Sequence, residues 1–152
     1  MMDPIVVRAL LVGGLVLAVA VVGLVWRRRD GRVREVGEHT RLDPDHLGAV
    51  GLDLRDVQAG AVLLGSPTCA PCDAVKQVLR DLADEREGFR WVYADAADHL
   101  ELAERHRVMR VPTLFVIERD GRIIARTSGV PRTDDLRRVL EGRAGGLSGS
   151  LA

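Results

Sequence analysis

The sequence has few cysteines, one lysine and no excess of either charge, and these features exclude several classes of protein. The 152 residues contain two cysteines, too few for a secreted miniprotein held together by several disulfides. The 22 basic residues balance 22 acidic residues, and no basic face indicates a nucleic-acid partner. Hydrophobic residues make up 47% of the chain, which excludes a fully disordered protein.

One long apolar run is present near the N-terminus. From Ala9 to Trp26, 18 residues carry no charge, and residues 5–7 extend the run with Arg8 as its only interruption. At ~1.5 Å per residue, a helix of this length spans a hydrocarbon core of roughly 30 Å. The sequence therefore predicts a single transmembrane anchor over residues 1–26 that contacts the lipid bilayer through residues 5–26.

A cleaved signal peptide is the alternative for this segment, since Ala18-Val19-Ala20 resembles a cleavage triplet. Two features favour a retained anchor. Apolar residues continue beyond the triplet, and only Asp3 and Arg8 precede the run as charged residues, which is not the positive start of a signal peptide.

The charges that follow the apolar run predict its orientation. Five arginines follow it closely: Arg27, Arg28, Arg29, Arg32 and Arg34. Because positive flanks are retained in the cytoplasm, we expect the C-terminal domain on the cytoplasmic side of the cell membrane, with the extracytoplasmic side as the alternative. Residues 27–42 are charged and lack periodicity, which predicts a solvated basic tether.

The remainder of the chain alternates strand and helix patterns. Asp43 followed by Pro44 predicts the start of a short helical turn, and residues 49–60 show no clear pattern. The later elements are predicted, in order, as a strand at 61–64, a helix at 71–87, a strand at 89–94, a helix at 98–107, strands at 113–117 and 122–127, and a helix from Thr133 that ends before Gly142. This order indicates an α/β domain over residues 43–141, and residues 142–152 are predicted to be a flexible Gly/Ser-rich tail.

The two cysteines form the motif Cys69-Ala70-Pro71-Cys72, between a predicted strand and a predicted helix. Unpaired N–H groups and the helix dipole favour an anion at that position, and a thiolate is the nucleophile that attacks a disulfide. Pro71 fits the first helical turn, where a missing N–H costs little. Cys72 is close enough to attack a mixed disulfide on Cys69. The spacing therefore predicts that Cys69 is the nucleophile and Cys72 the resolving cysteine.

A CxxC motif has two other common uses in proteins, zinc binding and a structural disulfide. A zinc site needs a second pair of ligands, and the histidines form pairs seven residues apart (His39 with His46, His99 with His106) rather than at the usual spacing. We therefore predict no metal site. A purely structural disulfide is disfavoured, because so short a loop constrains the unfolded chain little.

From residue 61 to residue 141 the sequence resembles the thioredoxin family. The features that carry the resemblance are, in chain order, a strand followed by Cys69-Ala70-Pro71-Cys72 and a helix, Asp95 after the second strand, Val111-Pro112-Thr113 before the third, Gly121 in the hairpin and Gly129 before the last helix. The resemblance implies a thioredoxin fold, with a central mixed sheet flanked by helices. It also implies that Pro112 is cis and lies against the cysteines, and that Val111, Pro112 and Thr113 bind an extended substrate segment, with Ala70, Pro71 and Gly129 in support.

Three positions depart from the family's pattern. Leu63 stands where thioredoxins keep a buried Asp, Thr68 stands in place of the Trp before the first cysteine, and Asp73 replaces the basic residue that commonly follows the motif. We therefore expect slower or more substrate-restricted turnover than in an ordinary thioredoxin.

The apolar run and the family resemblance together imply a membrane-tethered thiol-disulfide oxidoreductase, which would act as a protein-disulfide reductase. Its only redox group would be the Cys69/Cys72 disulfide, with no further cofactor, and its partners would be protein thiols or disulfides and an upstream redox protein. The alternative is a binding or scaffold module that kept the fold and lost efficient exchange.

Overall fold

The structure is a computed structural model that describes residues 4–29, 31–35 and 40–147. The chain divides into two units, of which the first ends at Asp30 and the second begins at Gly31. The first unit is one helix, α1 (Pro4–Arg29). Within the described ranges, no helix is both long enough and apolar enough to cross a membrane. The anchor over residues 1–26 therefore stays a prediction from the sequence.

The second unit is a five-stranded mixed sheet with helices on both faces. Its elements are β1 (Arg34–Glu35), α2 (Pro44–Ala49), β2 (Ala59–Gly65), α3 (Ala70–Glu85), β3 (Phe89–Asp95), α4 (Leu100–Arg105), β4 (Thr113–Glu118), β5 (Ile123–Ser128) and α5 (Thr133–Leu147). The strand order is β1-β5-β4-β2-β3. The β2–β3 pair is parallel and the other pairs are antiparallel. This arrangement confirms the predicted α/β architecture of a mixed sheet between helices.

The alternation of side chains along β2 builds two cores, one on each face of the sheet. Ala61 and Leu63 pack with apolar residues of α3 and α5, whereas Val62 and Leu64 pack with apolar residues of α2 and α4. Successive strand residues point to opposite faces, so an uninterrupted apolar run is what a strand covered on both faces requires. β2 ends at Gly65, and a turn of three residues separates it from the cysteine motif.

Part of the predicted tether belongs to the folded domain, which corrects its boundary. β1 pairs with β5 at the edge of the sheet, and the backbone N–H of Gly31 donates to the Ser128 carbonyl at 2.9 Å. Leu42 is buried in one of the two cores. A two-residue strand leaves too short a pattern to be recognised in the sequence, and only pairing with β5 makes it a strand. Residues 36–39 lie outside the described ranges.

The end of the last helix also differs from the prediction. α5 continues through Gly142 to Leu147, whereas the sequence predicted an end before Gly142. A glycine within a helix costs only ~1 kcal/mol relative to alanine, and the buried Leu136 and Leu140 fix the preceding turns against the sheet. The predicted flexible tail is therefore helical up to Leu147, and residues 148–152 lie outside the described part.

The start of α2 confirms the predicted helix signal. Asp43 is its N-cap, and a side-chain oxygen of Asp43 accepts a hydrogen bond from the backbone N–H of Asp45 at 3.0 Å. The segment that follows had no prediction, and it contributes Leu52, Leu54 and Val57 to the core on this face.

Candidate functional site

Cys69 and Cys72 form a disulfide with an S–S distance of 2.07 Å and a Cα–Cα distance of 5.4 Å. Cys69 is the N-cap of α3, and Pro71 lies in the first turn of that helix. The backbone N–H of Cys72 donates to the Cys69 carbonyl at 3.0 Å. Cys69 is half-buried, whereas Cys72 is 1% exposed. An incoming disulfide therefore meets Cys69 more readily than Cys72.

The turn between β2 and α3 presents Cys69 at the edge of the domain. The backbone N–H of Cys69 donates to the Ser66 carbonyl at 3.1 Å, which closes the turn. Pro67, Thr68, Ala70 and Pro71 are exposed around it. Ala70 and Pro71 are thus at the surface beside the disulfide, and their supporting role stays a prediction.

The peptide bond between Val111 and Pro112 is cis, as the family resemblance implies. Leu64 of β2 pairs with Thr113 at the start of β4, and Pro112 and Gly65 are the next residues beyond that pair. An ideal Cβ on Gly65 would lie 3.0 Å from Cys72 Sγ. The antiparallel register therefore brings the cis proline to the same end of the sheet as the disulfide.

Hydrogen bonds hold the loop that contains Pro112. The buried Thr113 hydroxyl donates to the Arg110 carbonyl at 2.7 Å and is 3.2 Å from the Ser128 hydroxyl. The backbone N–H of Gly129 donates to the Pro112 carbonyl at 2.9 Å. Gly129 has φ +92°, a backbone conformation that favours glycine. These hydrogen bonds tie Pro112 and Thr113 to the segment that contains Gly129. Val111, which precedes the proline, is half-buried.

A cleft of about 370 Å³ opens beside Cys69. Its lining residues are Ser66, Pro67, Thr68, Cys69, Ala70, Asp73, Lys76, Tyr93 and Asp95. Lys76 Nζ lies 4.5 Å from the centre of the Tyr93 ring and 3.1 Å from Asp73 Oδ1. Lys76 and Tyr93 could not be assigned to the site from the sequence, because nothing in their spacing shows that a helix residue and a strand residue meet here.

The three departures from the family pattern have distinct surroundings. Leu63 is 0% exposed and packs with Val75 and Leu79 of α3, so the position of the family's buried carboxylate is apolar here. Thr68 is exposed. Asp73 is 80% exposed and paired with Lys76, which places its charge at the surface of the cleft.

Three of the four histidines, His46, His99 and His106, lie within the described ranges. Across the described ranges, no group of three or more His, Cys, Asp or Glu residues could hold a metal ion, and His39 lies outside those ranges. His106 packs on Phe115 with 5.4 Å between ring centres. Burial lowers the pKa of His106, and the nearby His46, Arg126 and Arg105 lower it further.

A larger groove of about 760 Å³ lies at the opposite end of the sheet. Leu42, Leu47 and Leu52 contribute apolar surface to it, and Arg41 and Arg119 are among its charged residues. Neither cysteine lines this groove. The smaller cleft is therefore the one that a group reacting with Cys69 would enter.

A family model for the thioredoxin domain matches residues 61–141, which is more than half of the chain. The chain belongs to the thioredoxin family. The match covers the cysteine motif, the cis proline and the last helix up to Glu141. A comparison with curated proteins finds no match.

Solved thioredoxin structures share this fold. A mutant thioredoxin from Halobacterium salinarum is 22% identical with a TM-score of 0.53, covering 67% of this chain and 86% of that one. A chloroplastic thioredoxin z is 23% identical with a TM-score of 0.54, covering 73% and 99%. Mitochondrial thioredoxin 3 from Saccharomyces cerevisiae, in its oxidized form, is 19% identical with a TM-score of 0.50, covering 59% and 82%. At these identities the likeness shows the fold alone.

Proposed function

We propose that this thioredoxin-family protein is a protein-disulfide reductase in which Cys69 attacks and Cys72 resolves. The observation that carries the proposal is the Cys69–Cys72 disulfide at the start of α3, in which Cys69 is half-buried and Cys72 is buried. Cys69 lies where free N–H groups and the helix dipole favour a thiolate.

The reaction transfers two electrons from the reduced cysteine pair to a substrate disulfide. The Cys69 thiolate attacks one substrate sulfur, the substrate S–S bond breaks, and the departing thiolate takes up a proton. Cys72 then loses its proton and attacks the Cys69 sulfur, which re-forms the Cys69–Cys72 bond and releases the second substrate thiolate. An upstream dithiol protein of the same chemical class would return the two electrons. No cofactor beyond the cysteine pair takes part.

Val111, Pro112 and Thr113 are the residues we propose to bind the substrate. They lie at the end of the sheet that carries the disulfide, and Thr113 and Gly129 hold the loop by hydrogen bonds. An extended substrate segment would lie along this loop, with its disulfide facing Cys69.

A trapping experiment tests the proposed function. Cys72→Ser removes the resolving thiol, so substrate proteins should stay bound to Cys69 through a mixed disulfide that a reductant releases. The matched control is Cys69→Ser, which keeps the buried thiol and should trap nothing. Wild-type protein should also reduce the disulfides of insulin in the presence of a dithiol reductant. An empty Cys72→Ser trap together with no insulin reduction would favour a scaffold module, a role that the apolar Leu63 makes chemically reasonable.

We further propose that residues 5–26 anchor the protein in the cell membrane with the thioredoxin domain on the cytoplasmic side. The uncharged run from Ala9 to Trp26 and the arginines after it support this topology. The protein should remain with membranes after alkaline carbonate washing. The reduced cysteines should resist a membrane-impermeant maleimide in intact cells and react after lysis. Labelling in intact cells would instead indicate the extracytoplasmic side.

A further inference from the structure

Lys76 is the single lysine of the sequence, and the fold holds it beside the cysteine pair. It lies on α3 one turn after Cys72, and its side chain is 28% exposed. Its Nζ atom contacts the face of the Tyr93 ring at 4.5 Å and Asp73 Oδ1 at 3.1 Å. These two contacts restrict the conformations of the lysine side chain, so its positive charge has a defined position in the cleft.

The position of the Tyr93 ring is fixed by packing at Gly65, the last residue of β2. An ideal Cβ on Gly65 would lie 2.5 Å from Tyr93 Cε2 and 3.0 Å from Cys72 Sγ. The Tyr93 ring and the Cys72 sulfur therefore both pack against Gly65, where a residue with a Cβ atom would not fit without a shift. The Tyr93 ring that Lys76 contacts is therefore held at the end of β2.

The charges around the cleft make Lys76 electrostatically distinctive. The ionisable groups that line it beside Cys69 are Asp73 and Lys76 from α3, and Tyr93 and Asp95 from β3. Among these described residues Lys76 is the one cation. The two carboxylates oppose negative charge on sulfur, whereas the ammonium group stabilises it.

We propose that Lys76, held over the Tyr93 ring, is a positioning residue that stabilises the Cys69 thiolate, in a site where Leu63 has replaced the family's buried carboxylate. This inference rests on the proposed exchange function and names one more residue that serves it. When the Cys69 thiol ionises, its proton goes to solvent. The lysine acts through its charge alone.

The test measures how fast iodoacetamide alkylates Cys69 at different pH values, in the reduced full-length chain carrying Cys72→Ser so that one thiol is followed. Lys76→Gln should move the midpoint of the profile to higher pH by about half a unit or more. Lys76→Arg should restore the midpoint, since it keeps the charge. Asp73→Asn should move the midpoint to lower pH.

Arg80→Gln is the matched control. Arg80 lies on the same helix, donates to Gln77 Oε1 and does not line the cleft, so its loss removes an equal charge elsewhere. Equal midpoints for Lys76→Gln and Arg80→Gln would overturn the inference, as would shifts of the same sign for Lys76→Gln and Asp73→Asn. Tyr93→Phe keeps the ring and should behave as wild type, whereas Tyr93→Leu should resemble Lys76→Gln.

Failure of this inference can be distinguished from failure of the proposed function. Wild-type exchange with insulin is measured separately from alkylation of Cys69. An active wild type with a Lys76→Gln midpoint that does not move removes only the role of Lys76. A wild type that neither reduces insulin nor traps substrates removes the function on which the inference rests.

Discussion

Leu63 lies directly opposite Tyr93 in the parallel pairing of β2 with β3. Register partners on neighbouring strands share a face of the sheet, and both residues pack in the core beneath α3. Leu63 occupies the position at which the family keeps a buried Asp. At this position the site therefore contains an apolar side chain and, beside it, the aromatic ring that Lys76 contacts.

Restoring a carboxyl at this position should destabilise the domain. Leu63→Asp would bury an acid among apolar side chains, and burial raises the pKa of such a group. Below the unfolded-state pKa the carboxyl is protonated in both states, and its burial costs least. As the pH rises above that value, the unfolded chain loses the proton first, so the free energy of unfolding decreases. Urea unfolding should therefore show a loss of about 3 kcal/mol or more at neutral pH and a smaller loss near pH 4. Leu63→Asn is the control, whose loss should not vary with pH in this way, and equal losses for the Asp variant at both pH values would contradict the prediction.

Gly65→Ala should disturb both Tyr93 and Cys72. The added methyl group would lie 2.5 Å from the Tyr93 ring and 3.0 Å from the sulfur, so one of them must shift. Overpacking of this kind costs about 1–3 kcal/mol, which thermal unfolding would detect. Gly48→Ala is the matched control, because a Cβ at Gly48 meets nothing within 4 Å and alanine suits a helix better than glycine. A Gly65→Ala variant as stable as Gly48→Ala would disprove the close contact.

Two buried threonines should respond in opposite ways to replacement by valine. Thr113→Val removes the hydroxyl that bonds to Arg110 and Ser128, and should cost about 1–2 kcal/mol and slow exchange through the loosened Pro112 loop. Thr127 Oγ1 is buried with no hydrogen-bond partner among the described residues. Thr127→Val should therefore be neutral or stabilising. Chemical unfolding of both variants checks the contrast, and a larger loss for Thr127→Val would refute it.

The stability of the domain should depend on His106 in mildly acidic solution. Burial lowers the pKa of His106 from its ordinary value of 6.5, so the unfolded chain takes up this proton at a higher pH than the folded chain. Stability should then fall as the pH decreases below about 6.5. In His106→Gln this part of the decrease should be absent, whereas His99→Gln, a half-buried control, should retain it. Parallel pH profiles for wild type and His106→Gln between about pH 5 and pH 8 would count against the prediction.

Local patterns in the sequence account for most of the architecture. The apolar run at 61–64 predicts a strand covered on both faces, and β2 lies there between β4 and β3, inside the sheet. The apolar spacing of Val75, Leu79 and Leu82 predicts the buried side of α3. These features can be predicted from the sequence because each depends on the spacing of apolar residues within a single helix or strand. The two-residue β1 and the continuation of α5 past Gly142 depend on partners distant in the sequence, and no local pattern reports them.

The sequence by itself determined the fold family, the cysteine pair at the start of a helix and the apolar residue in place of the buried carboxylate, because these are properties of short segments. Only the tertiary structure decided which side chains surround the pair. Lys76 meets Tyr93, and Gly65 admits the ring and the Cys72 sulfur, because β3 packs beside β2 beneath α3. Contacts between elements that are far apart along the chain form only when the sheet assembles. The position of the Lys76 charge beside the disulfide therefore depends on tertiary packing.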